Sequence, residues 1–152
     1  ATILLQAVGT NSFSDAINAG TDVYVMLQEK AKLKDRDEAK KRFFKILFGY
    51  PDEKLSQLFE GANWIDWINS YKSQTETRNP HKERQHSNLA WLLQTFEVQI
   101  MTEIWRTLAE NALPFVTVHD EIIVQQNSLK QAEAIMNNEL SKHFINFKIN
   151  AK

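Results

Sequence analysis

Apolar side chains recur at three- and four-residue spacing along most of this chain, and short β-branched or alternating runs appear only towards its end. Over residues 88–111, Leu89, Leu92, Leu93, Phe96, Ile100, Ile104, Trp105 and Leu108 form one continuous helical face. The longest helix is predicted there, ended by Asn111 and Pro114. Residues 35–49 predict another, with Asp35 as N-cap, Gly49 and Pro51 as the stop, and Phe43, Leu47 and Tyr50 on one apolar face. A helical pattern follows Ser14 and runs to about Ala31, with Gly20 dividing it. Residues 2–8 are apolar enough for a strand or a helix start, and Gly9 to Ser12 read as a turn. Pro51-Asp52 opens a further helical stretch with Leu55, Leu58 and Phe59 at helical spacing, and residues 61–73 predict an amphipathic helix with Trp64, Trp67, Ile68 and Tyr71 on its apolar side.

Two β-branched runs follow the long helix. The runs FVTV (115–118) and IIVQQ (122–126) flank His119, Asp120 and Glu121, which predicts a hairpin displaying those three residues at its tip. Ser128 is expected to cap a helix through about His143, and INFKINAK closes the chain as an edge strand. The expected fold class is α+β, mostly helical, with a small antiparallel sheet made of the hairpin and the C-terminal strand. Residues 74–87 (QTETRNPHKERQHS) are polar throughout and predict an exposed loop. Its Arg78, Arg84 and His86, with His81 beside them, could touch phosphate or equally form a solvated linker.

Composition narrows the class. The chain has 152 residues, 43% hydrophobic and 24% charged, with 4 Gly, 3 Pro and no Cys. That is globular, excludes a disulfide framework and a thiolate site, and argues against an all-β chain of tight turns. No apolar run approaches the ~18 residues of a membrane span, and the apolar N-terminus has no basic lead, so no membrane association and a reducing, cytoplasmic setting are expected.

The net charge of −1 hides an asymmetry, because residues 30–45 carry eight basic side chains against three acidic ones. A local cationic segment on a near-neutral chain suits an anionic ligand at one place, or a solvated helix face. Within it, Arg36, Lys40, Phe44 and Phe48 are spaced by four and form one slowly turning stripe. Two cations followed by two aromatics suit a ligand with a phosphate tail and a flat ring, unless the phenylalanines simply belong to the core. At the hairpin tip, adjacent carboxylates repel each other, and a hard cation such as Mg²⁺ shared with substrate phosphates would remove the conflict. An exposed polar turn is the plain alternative. His-Asp pairs also bind metal in helical phosphohydrolases, but those need further His and Asp ligands on other helices, and here the pair lies between strands.

These segments together resemble a family. Arg36-Asp37-Glu38-Ala39-Lys40, then Phe44, then Phe48-Gly49 resembles the fingers-helix motif R-x3-K-x3-[FY]-x3-Y-G of the family A DNA polymerases, the group of bacterial polymerase I and phage replicative polymerases. Phe48 stands where that motif has Tyr. INAGTDVY (17–24) resembles the family segment ending in G-x-D-I-H, with Tyr24 for His, and FVTVHDEIIV resembles its palm hairpin. Gln94, in the helix before that hairpin, resembles the glutamine of the minor-groove-tracking helix. The likeness follows the same order along nearly the whole chain.

The resemblance implies one partial polymerase domain over 1–152, with a fingers-like part over about 10–87 and a palm-like part over about 88–152. It implies that Asp120 is one of two aspartates holding a catalytic Mg²⁺ pair, with Glu121 its neighbour and His119 supporting the primer end. Arg36 and Lys40 would bind the triphosphate of an incoming dNTP, with Lys40 near the leaving pyrophosphate. Tyr24 and Phe44 would line the nucleotide, Phe48 would abut the templating pair, and Gln94 would contact DNA. The implied reaction is in-line attack of a primer 3′-hydroxyl on the α-phosphate.

Traced backwards from GTDVY without gaps, the likeness places Ala1 just past the family's first palm motif, so the second aspartate and the steric-gate glutamate are not expected among these residues. There is no room for a thumb or exonuclease domain. The expectation is the C-terminal palm-and-fingers portion of a reduced polymerase of phage or prophage type. Its partners would be primer–template DNA, dNTP and the missing N-terminal part. It should be inactive alone, since one aspartate cannot hold two Mg²⁺ ions. The alternative is a non-catalytic remnant that binds DNA or a replication partner.

Overall fold

The computed structural model describes residues 2–51, 63–75 and 85–150. It is an α+β structure, mostly helical with a small antiparallel sheet. The elements are α1 (Thr2–Val8), α2 (Ser12–Asn18), α3 (Val23–Ala31), α4 (Arg36–Phe48), α5 (Asn63–Ser73), α6 (Asn88–Glu110), β1 (Phe115–Val118), β2 (Glu121–Val124) and α7 (Leu129–Ser141). The helical stretch expected after Pro51 and most of the polar segment, with Arg78, His81 and Arg84, lie outside the described residues. The chain forms two compact units, Ala1–Leu93 and Gln94–Lys152.

In the first unit, residues 2–8 are helical rather than extended. The next helix starts earlier than the sequence suggests. Asn11, not Ser14, is its N-cap, and its side chain accepts the Ser14 N–H at 2.9 Å. Gly20 ends α2 as predicted: it adopts φ +81°, and the N–H groups of Gly20 and Thr21 reach back to the carbonyls of Ile17 and Ala16. Asp35 caps α4 by accepting the Glu38 N–H at 2.8 Å, while the Glu38 carboxylate takes the Lys34 N–H at 3.0 Å.

The core of this unit gathers Leu4, Phe13, Leu27, Ala39, Ile46, Trp64, Ile65, Ile68 and Leu89. Phe13 lies between Phe43 and Trp64, with ring centroids 5.9 and 4.8 Å away. Phe43 and Leu47 pack against this core. Tyr50, expected on the same face, follows the last turn of α4, stands 73% exposed and meets the His86 ring at 4.4 Å.

Two polar side chains close helix ends inside this unit. Lys72 is buried, and its ammonium donates to the carbonyls of Ile46 at 2.7 Å and Gly49 at 2.9 Å, at the C-terminus of α4. The Asn88 amide donates to the carbonyl of Gln74 at 2.8 Å and reaches those of Lys72 and Tyr71, closing α5.

The second unit packs α6, the hairpin and α7 around Ile100, Met101, Ile104, Leu108, Leu113 and Ala132. Just past α6, Ala112 adopts φ +53° so that Leu113 N–H reaches the Leu108 carbonyl at 3.1 Å. Strands β1 and β2 pair Phe115 with Val124, Val116 with Ile123, Thr117 with Ile122 and Val118 with Glu121. Phe115, Ile122 and Val124 pack on the core, while Val116, Val118 and Ile123 stand exposed on the other face.

The C-terminal strand expected over INFKINAK is a correction: among the described residues the sheet has two strands, and residues 145–150 form no ladder. Phe147 and Ile149 are half-buried with exposed neighbours, so the alternation that suggested a strand reflects a chain lying along the surface. Ser128 precedes α7 at the end of a short 3₁₀ turn, but its hydroxyl bonds the Asn127 side chain at 3.3 Å and does not cap the helix, which ends at Ser141.

Candidate functional site

In the first unit, the basic stripe of α4 faces outward. Ala39 and Ile46 are buried and Phe43 and Leu47 half-buried on the inner side of the helix, while Arg36, Lys40, Phe44 and Phe48 are all exposed. The reading of Phe44 and Phe48 as core residues is therefore corrected: they are 45% and 37% exposed, with ring centroids 5.7 Å apart. Two aromatic rings beside cations on an open helix face leave apolar surface that the core does not use.

The structure brings two predicted residues, Arg36 and Tyr24, into contact. The Arg36 guanidinium carbon lies 4.7 Å from the Tyr24 ring centroid, within cation–π range. Tyr24 in turn meets Phe43 edge-on at 5.8 Å, which ties its ring to the core. A third residue, which the sequence did not single out, completes the arrangement. Asp22 caps α3 with Oδ1, accepting the Tyr24 N–H at 2.8 Å, and takes Arg36 Nε at 3.2 Å and Nη2 at 2.9 Å on Oδ2. The Arg36 side chain beside it holds the Asp22 carboxyl below its ordinary pKa, with the Tyr24 N–H adding to the effect. The cue in the sequence was an aspartate directly before a helix start, a capping pattern that also frees one oxygen for a second partner. Lys40 lies one turn beyond Arg36 and makes no hydrogen bond or ion pair among the described residues.

In the second unit, the hairpin tip is a two-residue turn, His119-Asp120, because Glu121 already pairs with Val118 in β2. His119 adopts φ +55°, a left-handed conformation that costs a non-glycine residue about 1 kcal/mol. His119, Asp120 and Glu121 are all exposed. Gln94 is exposed on α6, at the start of the second unit.

The fit of this tip to Mg²⁺ depends on how many oxygen ligands it offers. Among the described residues there is no group of three or more His, Asp or Glu side chains that could hold a metal ion. Asp120 and Glu121 supply two adjacent carboxylates, fewer than a two-Mg²⁺ site requires, so the described residues do not make the complete site.

No helix among the described residues is long and apolar enough to cross a membrane. The sequence matches no protein-family model, no curated protein and no solved structure.

Proposed function

We propose that this chain is a palm-and-fingers portion of a DNA-directed DNA polymerase resembling family A, serving nucleotidyl transfer in DNA replication but unable to extend a primer alone. The observation that carries the reading is the exposed stripe of α4, where two cations and two aromatic rings lie along one helix face with Tyr24 beside them. Arg36 and Lys40 would take the phosphates of an incoming dNTP, and Phe44 and Phe48 would offer ring surface to its base and sugar. His119 and Gln94 would face the primer–template DNA. Asp120, with Glu121 beside it, would contribute to a Mg²⁺ site whose remaining ligands come from outside these residues.

The test measures nucleotide affinity and extension on the purified chain. Binding of a dNTP should weaken about tenfold in Lys40→Ala, the scale of one charge-assisted phosphate contact. An unchanged affinity would count against the stripe as a triphosphate site. Primer extension with dNTPs and Mg²⁺ should give no product, and template-dependent product would refute the inactivity of the chain on its own. A second reading, a non-catalytic module that binds DNA or a replication partner, is favoured by the incomplete ligand set at the hairpin tip. DNA binding without any dNTP binding would select it.

A further inference from the structure

Resting on the reading of the α4 stripe as a phosphate site, we infer that Asp22 is a built-in competitor for the anion that Arg36 takes, and so sets which anions can enter. Both Nε and Nη2 of Arg36 point at Asp22 Oδ2, at 3.2 and 2.9 Å. Those two donors form one of the paired edges with which a guanidinium grips two oxygens of a phosphate. The carboxylate therefore occupies a place that a phosphate would use.

The arrangement favours exchange over a permanent bond. Asp22 is anchored, because Oδ1 accepts the Tyr24 N–H at 2.8 Å as the cap of α3. Arg36 reaches back 14 residues from the first position of α4 on a long side chain. Both side chains are open to water, 54% and 41% exposed, and ion pairs at such exposure are weak. The Tyr24 ring lies under the guanidinium at 4.7 Å, so the cation keeps a platform when its carboxylate partner leaves.

The competition discriminates by charge. A singly charged anion brings no more to Arg36 than Asp22 already does. A polyphosphate brings several charges and enough oxygens to reach Arg36 and Lys40 together, one helical turn apart. Asp22 thus holds the site closed to simple anions and open to polyphosphate.

The experiment titrates the full chain and its Asp22→Asn variant with inorganic phosphate and with inorganic tripolyphosphate, reading the affinities by isothermal titration calorimetry. Asparagine caps a helix as well as aspartate does, so α3 keeps its start while the charge is lost. Circular dichroism checks that the fold is retained. The variant should bind inorganic phosphate about two- to fivefold more tightly, the scale of one exposed ion pair, with a smaller gain for tripolyphosphate. Arg36→Ala in the same background should abolish the gain. If tripolyphosphate binds but Asp22→Asn leaves both affinities unchanged or weaker, the competitor role is overturned and the phosphate site stands. If neither protein binds tripolyphosphate, the phosphate reading of the stripe falls, and the competitor role falls with it.

Discussion

Lys72 places its ammonium 2.9 Å from the carbonyl of Gly49, joining the buried side of α5 to the last turn of α4. The same nitrogen takes the Ile46 carbonyl at 2.7 Å, so one buried cation satisfies two of the carbonyls that a helix end leaves without intrahelical partners. Replacing Lys72 with Met keeps the length of the side chain and removes the donor. The variant should lose about 1–3 kcal/mol of stability, read as a shift in urea midpoint with an unchanged slope. A midpoint equal to the wild type's would show that water serves those carbonyls equally well.

Gly49 itself admits no side chain without movement. A Cβ there would lie 2.7 Å from the Lys45 carbonyl oxygen, which is backbone and cannot turn aside. Gly49→Ala should therefore destabilise the chain, whereas glycine at three other positions should do the opposite. Lys32, Ala112 and His119 all have φ between +50° and +55°. Each substitution to Gly should raise stability by about 0.5–1 kcal/mol through relief of the left-handed backbone, measured by the same urea titration. At Lys32 and Ala112 nothing else should change. At His119 the substitution also removes the imidazole, so under the proposed polymerase role the gain in stability should come with weaker primer–template binding.

The second unit should weaken in acid. Glu139 accepts hydrogen bonds from Lys142 at 2.6 Å, Thr107 at 3.3 Å and Asn138 at 3.4 Å, and the bond from Lys142 does most to hold its pKa below the ordinary 4.5. Glu103 lies 2.6 Å from His143 Nε2, and that hydrogen bond lowers its pKa in the same direction. A carboxylate whose folded pKa is depressed adds stability that is present above the unfolded value and disappears as pH falls through the folded one. The contribution of both groups should be complete above about pH 5.5 and fade below about 4.5. Comparing urea midpoints of the wild type with Glu103→Gln and Glu139→Gln at pH 6 and pH 3.5 checks this. The gap between the wild type and each variant should narrow at the lower pH, and a constant gap would rule the linkage out.

Trp105 holds the one buried side-chain nitrogen that lacks a hydrogen-bond partner among the described residues. An unpaired buried donor is costly, so Trp105→Phe should cost little or even stabilise, despite the smaller ring. Trp105→Ala should lose about 3–5 kcal/mol, because its ring packs against the core of the second unit. Thermal unfolding of the two variants separates the contribution of the ring from that of its nitrogen.

What the sequence disclosed follows from how local each signal is. The Asp35 cap, the Gly20 stop, the long helix from Asn88 and the hairpin all depend on neighbours a few residues away, and all are present. The ends of α3 and α6, at Ala31 and Glu110, fall within a residue of the expected ones, although the left-handed residues just beyond them are Lys32 and Ala112 rather than glycine. Lys72 falls four residues after Ile68 on the apolar face of α5, and a cation on a buried stripe was a visible sign of an internal partner. Which partner it meets, 26 residues away, could not be read from local spacing. In the site, the stripe of α4 was legible as periodicity. The Asp22–Arg36 pair was not, since it joins two helix starts across 14 residues. The C-terminal strand failed because alternation marks an extended chain but cannot supply a neighbouring ladder.

Because Ile122 and Val124 are embedded while Ile123 and Glu121 look outward, the direction of the acidic turn is fixed by greasy residues two and four places behind it. Sliding β2 by a single position would exchange the two sets and drive a carboxylate into the interior. The aim of Asp120 is thus governed by hydrocarbon, and any change that loosens the packing beneath the hairpin would swing the acid without touching it.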